Sequence, residues 1–215
     1  MIAQRGSLST SGQKIMTRAL MGIFAAISVM LNLAMPAAAA SLEDAVAAYR
    51  KGDYTNALQL YRPLAEQGLA VAQFNVGLMY DMGQGVLQNY SEAVKWYRLA
   101  ADQGRPDAQY QLGHLYYKHE KYAEAAKWFR LAADQGRADA QSNLGAMYAE
   151  GEGRPQDFVQ ALKWFILAAA QNHNDAIQNR DKAVLVMTPD QVAEARKLAG
   201  QWKLPRSGPD HAPAR

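Results

Sequence analysis

The chain repeats itself, and no other property narrows its fold as far. Residues 72–104 read AQFNVGLMYDMGQGVLQNYSEAVKWYRLAADQG, residues 108–136 read AQYQLGHLYYKHEKYAEAAKWFRLAADQG, and residues 140–172 read AQSNLGAMYAEGEGRPQDFVQALKWFILAAAQN. Trp96, Trp128 and Trp164 lie 32 and then 36 residues apart, while Gly77, Gly113 and Gly145 lie 36 and then 32 apart, as do Tyr80, Tyr116 and Tyr148. The two orders differ because the middle copy is four residues shorter between its glycine and its tryptophan. A partial copy precedes the array, with Ala57, Tyr61, Ala65 and Gly68 standing 36 residues before Ala93, Tyr97, Ala101 and Gly104; another opens at Asp175-Ala176. A period of this size belongs to stacked units that bury their apolar faces only against one another.

Within a copy the apolar spacing is helical. Ala72, Val76, Gly77 and Tyr80 share one face of a helix predicted over 71–82, and Ala93, Trp96, Tyr97, Ala100 and Ala101 share one face of a second over 90–103. Gly77 costs ~1 kcal/mol of helix propensity relative to alanine. Its recurrence predicts a close backbone approach to the second helix. Gly104 and Gly136, with Asn172 in the third copy, suit the left-handed residue that ends a helix. Asp107, Asp139 and Asp175 suit caps or first-turn carboxylates of the next helix. The tryptophans read as core.

The A-x3-[LV]-G-x2-Y run, the G-x-G loops (Gly83/Gly85 and Gly151/Gly153) and the A-x2-W-[YF]-x2-A-A-x2-G run resemble the Sel1-like repeat, a branch of the tetratricopeptide superfamily. The likeness spans roughly residues 42–202. It implies an all-α, right-handed α-solenoid of antiparallel helix pairs. The units would be a tetratricopeptide-like half-unit at 42–70, repeats at 71–106, 107–138 and 139–174, and capping helices at 175–202, with a disordered tail at 203–215. The middle repeat departs from the Sel1 pattern, since Lys118 to Tyr122 lacks the G-x-G insertion; the half-unit has the same short form at Arg50 to Tyr54. In the last unit Asp181 stands where the glycine is expected and Val184 where the tyrosine is. Thr188-Pro189-Asp190-Gln191 then supplies a helix start, with Thr as cap, Pro first and Gln three after the cap. That helix is expected to close the end of the stack.

Residues 1–40 read as a secretory signal: a basic stretch, an apolar run over 19–34, then alanines ending an A-x-A site at Ala40. Met16 is an alternative start. The run is shorter than a bilayer span of ~20 residues. The net charge of +3 resides there too, because Arg5, Lys14 and Arg18 are the only charges before residue 41, leaving 20 basic against 20 acidic residues. A neutral mature chain gives no support for electrostatic steering to nucleic acid, and none is expected as a partner. The absence of cysteine excludes disulfides, thiolate metal sites and thiol catalysis.

The remaining residues carry no catalytic pattern. His114 and His119 are five apart rather than four, so they diverge around the helix, and the G-x-G loops follow helices with no Lys-Ser/Thr after them. No catalytic, metal or cofactor residue is assigned. In the superfamily the first helices line a concave groove, and this chain offers there Phe74, Asn75 and Leu78, then Tyr110, Gln111, His114, Tyr117 and Lys118, then Ser142 and Asn143, and finally Asn179. Side-chain amides recur at Asn75, Gln111, Asn143 and Asn179, and an amide can bond both the N–H and the C=O of an extended peptide. The resemblance implies a non-catalytic scaffold for protein segments in the periplasm or cell envelope, regulating a sensor or an assembly, with no membrane span after signal cleavage. Its alternatives are a secreted β-lactam-binding or hydrolysing enzyme, whose known forms are cysteine-rich, and a secreted host-directed factor.

Overall fold

A computed structural model describes residues 42–204, which are helical with no strand among them. Helix α1 covers 42–50 and is followed by α2 (Tyr54–Glu66), α3 (Ala70–Met82), α4 (Tyr90–Asp102), α5 (Pro106–Lys118), α6 (Tyr122–Asp134), α7 (Ala138–Glu150), α8 (Phe158–Ala169), α9 (Asn174–Val186) and α10 (Pro189–Gln201). The odd-numbered helices begin units and the even-numbered ones complete them. From α2 to α9 each helix packs on the next in the chain, as an α-solenoid requires. The signal-like residues 1–40 and most of the 203–215 tail lie outside the described residues.

Three local devices set the helix lengths. Gly68, Gly104 and Gly136 end their helices at φ +93°, +86° and +87°, and Asn172 does so at +63°. Asp53, Asn89, Asp157 and Thr188 cap α2, α4, α8 and α10 through their side chains, Thr188 in a full capping box with Gln191. Asp107, Asp139 and Asp175 occupy first turns rather than caps. Arg105, Arg137 and His173 hold the N-cap positions instead.

The core is built of alanine and aromatic rings. Ala93, Ala100, Ala125, Ala132, Ala161 and Ala168 are wholly buried, which brings helix axes close, and large rings fill the space between them. The repeated glycine faces a ring of the second helix: a Cβ on Gly77 would stand 2.7 Å from the Tyr97 ring, on Gly113 2.8 Å from the Phe129 ring, and on Gly145 2.7 Å from the Phe165 ring, where the expected backbone approach is also present, with Ala161 O of α8 at 3.2 Å. The aromatic residue after each tryptophan therefore seats in a notch. Trp164 and Trp96 are core residues at 0% and 6% exposure, but Trp128 is only partly buried.

The G-x-G loops clamp one unit to the preceding one. A Cβ on Gly85 or Gly153 would fall on the backbone of Tyr54 or Tyr122, the first residues of α2 and α6. Tyr49 Oη donates to Gln84 Oε1 at 2.8 Å in the first clamp, and Glu152 stands at the corresponding place beside Tyr117 in the second. Long loops thus fold over short turns, which explains why units of 36 and 32 residues alternate.

At the end of the stack α10 does not lie on α9 as a second helix. It packs along α8, and the chain beyond it reaches α6, where Leu204 and Trp202 sit against Gly136. Asp181 stands where the other units have the notch glycine, and α10 carries no aromatic ring that such a notch would seat.

Candidate functional site

Tyr110, His114 and Tyr117 follow each other at spacings of four and three along α5, so they share one face. That face looks toward α7. With Phe129, Asn143, Ala146 and Met147 they enclose a cleft of ≈ 280 Å³. Ala146 also lines a second cleft of ≈ 330 Å³ bounded by Glu150 of α7, Phe158 and Phe165 of α8, and Asn179, Lys182, Ala183 and Val186 of α9. The two clefts share Ala146 as a wall and together make up the groove over α5, α7 and α9. Residue size opens it: the position held by Leu78 and His114 in the earlier units is Ala146 here, and the position held by Phe74 and Tyr110 is Ser142.

The polar groups in the groove are tied down. Tyr110 is hydrogen-bonded to Asn143, and the Arg137 guanidinium lies 4.6 Å from the centre of its ring. Burial, then the Asp139 charge, raises its phenol above the usual value. Burial, reinforced by the Glu152 hydrogen bond and charge, pushes the Tyr117 phenol up to about 12. His114 stacks on Tyr110 with centroids 6.3 Å apart; burial and then Lys118 lower its basicity, against an opposing pull from Asp81. At neutral pH the first cleft is thus walled by neutral aromatic groups with amide and hydroxyl edges, while Glu150 and Lys182 bring charges to the second.

Of the residues expected to line a groove, Tyr110, His114, Tyr117 and Asn143 converge in the first cleft and Asn179 lines the second. The others do not join them. Asn75 Nδ2 donates to Val71 O of its own helix at 2.8 Å, which spends one of its donors. Ser142 is buried at 4% exposure and is no surface contact. Phe74 packs on the Tyr97 ring at 5.7 Å with Arg105 over its other side, and Leu78 packs against the core. Gln111 and Lys118 line neither cleft.

Two ladders hold the groove helices in place, and neither was foreseen. Gln73, Gln109 and Gln141, all buried, donate to the carbonyls of Ala65, Ala101 and Ala133 at 3.1, 3.2 and 3.1 Å. Each in turn accepts from the glutamine that closes its own unit: Gln103, Gln135 and Gln171, at 2.7, 2.7 and 2.9 Å. This satisfies amides that would be costly to bury alone. Nearby, Asp107 pairs with Arg105 and Arg137, and Asp139 with Arg137 and His173. The signal was in the repeats themselves, where Ala-Gln opens each copy and a glutamine stands beside each helix-ending residue.

Among the described residues no three His, Asp or Glu side chains gather as a metal site, and no helix is long and apolar enough to cross a membrane. The geometry offers a binding surface made of aromatic rings and amides.

The Sel1 repeat family model matches residues 46–69, 70–104, 106–136 and 138–173. Among solved structures, a Sel1 repeat protein from Oxalobacter formigenes is 31% identical, with a TM-score of 0.63, over 77% of this chain and 74% of that one. A protective antigen of uropathogenic Escherichia coli strains that displays an SLR fold is 29% identical over 74% of this chain and 45% of its own, with a TM-score of 0.41. YrrB, a TPR protein with an unusual peptide-binding site, is 20% identical, with a TM-score of 0.52, over 75% of this chain and 86% of that one. No match was found among curated proteins. Four matched repeats and a relative of like fold over most of both chains make this chain a member of the Sel1 repeat family.

Proposed function

We propose that this protein is an exported, non-catalytic scaffold of the periplasm or cell envelope that binds an extended segment of another protein along the groove over α5, α7 and α9. The observation that carries the reading is the cleft itself. Tyr110, His114, Tyr117 and Asn143 converge there from two helices, and Ala146 opens it into a second, more apolar cleft. Asn143 bonds Tyr110 yet keeps hydrogen-bonding capacity for a peptide backbone, since a side-chain amide has two donors and two acceptor lone pairs. Sel1 and TPR-like folds commonly serve as interaction scaffolds, and YrrB, alike in fold, carries a peptide-binding site. Residues 1–40, with their basic start, apolar run and Ala40 cleavage site, support export.

A photocrosslinking amino acid at position 114 in intact cells tests the site. The expected result is a discrete adduct that disappears when Asn143→Arg fills the cleft and is absent when the probe is placed at exposed Lys127 of α6. An equal yield from positions 114 and 127 would remove the groove from consideration. Protease protection that persists after the outer membrane is opened would overturn export.

A further inference from the structure

In the three central units the second helix lies on the first: α4 on α3, α6 on α5, α8 on α7. The last unit lacks this pairing, because α10 packs on α8. The side of α9 that a second helix would cover is left open. In α7 that side presents Leu144, Gly145 and Tyr148; in α9 the same positions are Arg180, Asp181 and Val184.

These three residues, with Leu162 and Ile166 of α8 and Arg196 of α10, line a cleft of ≈ 480 Å³. Its floor is apolar: Leu162 is wholly buried, and Ile166 and Val184 are partly buried beside it. Its rim is cationic. Arg180 is tied to Asp181 at 2.8 Å, while Arg196 pairs with no carboxylate among the described residues. The cleft is distinct from the groove, which lies over α5, α7 and α9 and is lined by none of these six side chains.

We propose that this seat docks an acidic amphipathic helix from a partner protein, which completes the last unit as its missing second helix. Two features specify the occupant. The seat lies where the second helix of a unit lies three times within the chain, so the occupant that completes the unit is a helix. The unpaired Arg196 at its rim selects a carboxylate beside the apolar stripe that covers Leu162, Ile166 and Val184. Asp181, standing where the other units have glycine, excludes a large ring at the centre of the helix and favours small residues there.

The test uses the purified chain and a fluorescent, stapled helical peptide with leucines at i, i+4 and i+7, alanine between them and glutamates flanking the stripe. A second peptide carries lysine in place of each glutamate. Anisotropy should show saturable binding of the glutamate peptide, and about tenfold weaker binding of the lysine peptide. Arg196→Glu, on an exposed position of α10, should weaken the glutamate peptide by about tenfold or more. Val184→Asp should abolish binding while circular dichroism shows the helices intact. Equal binding of the two peptides overturns the proposal, as does indifference to Arg196→Glu or no binding up to about 1 mM. Loss of binding in His114→Ala but not in Arg196→Glu places the peptide in the groove and also overturns it.

Discussion

Gly113→Ala reads the joint on which every repeat depends. α5 meets α6 where Gly113 faces the Phe129 ring, and an added methyl would stand 2.8 Å from Cδ1 and 3.0 Å from Cε1. Carbon atoms in contact prefer ~3.5 Å or more, so the ring must retreat by roughly 0.7 Å. Phe129 is 1% exposed, so its ring can retreat only by displacing packed neighbours or by intruding on the cleft it helps to line. Two effects then compete. Replacing a helical glycine with alanine favours folding by ~1 kcal/mol, whereas overpacking a filled core costs ~1–3 kcal/mol. The expected outcome is a net loss of up to ~2 kcal/mol.

Gly200 supplies the control. It lies in α10 with nothing within 4 Å of where a Cβ would stand, so Gly200→Ala should gain ~0.5–1 kcal/mol. The same substitution therefore has opposite signs at two helical sites. Urea unfolding followed by far-ultraviolet circular dichroism measures both. Gly113→Ala combined with Phe129→Leu should cost less than the sum of the single variants, because the smaller side chain relieves the overlap. If Gly113→Ala stabilises the chain as much as Gly200→Ala, the ring does not seat on the glycine and the account of the joint is refuted.

Trp164→Ala should cost ~3–5 kcal/mol by opening a core cavity, and Trp128→Ala distinctly less because Trp128 is partly exposed; equal losses in denaturant melts would contradict the burial pattern. Trp96 Nε1 donates to Glu92 at 3.0 Å, but Trp164 Nε1 is buried without a partner, with Gln160 at the corresponding place. Gln160→Glu should stabilise by ~0.5–1.5 kcal/mol and shift the Trp164 indole N–H resonance; an unmoved resonance would show that no bond forms. Tyr117 holds its proton more tightly folded than unfolded, so its contribution is present below pH 10.0 and is lost as pH rises toward about 12. Tyr117→Phe should therefore flatten part of the alkaline limb of a stability–pH curve, and an unchanged limb would argue against the burial and the Glu152 bond.

The fold was legible because its determinants are local and repeated. Helix faces, the left-handed Gly104, Gly136 and Asn172, and the Thr188 capping box all depend on residues within one turn of each other. The clamps were not, because they join Tyr49 to Gln84 and Tyr117 to Glu152 across 35 residues in each case. Comparing neighbouring copies conceals such a pairing, since it recurs only in every second unit. The glutamine ladder was hidden differently. Gln73, Gln109 and Gln141 carry no local signal of burial, and only the three-dimensional fold sets each between a carbonyl and the next glutamine, where burial is satisfied.

The candidate site shows the same limit from the other side. Equivalent positions were treated as equivalent surfaces, so Asn75, Gln111, Asn143 and Asn179 formed one amide row. Orientation on a helix is shared by such positions, but access is decided by the neighbours in space. Asn143 faces a cleft because Ala146 is small one turn later; Asn75 has Leu78 nearby and turns its amide to Val71 of its own helix. Ser142 shows the converse, for a residue too small to reach the surface is covered by what surrounds it. α10 extends the point to whole elements. Its capping box, its length and its apolar spacing make it a helix by local rules, but its place on α8 is set by long-range packing, with neither a notch glycine in α9 nor a ring in α10 to join those two. Periodicity predicts what each segment becomes, while the departures from periodicity decide which surfaces stay open, and those surfaces are where a scaffold of this kind meets its partners.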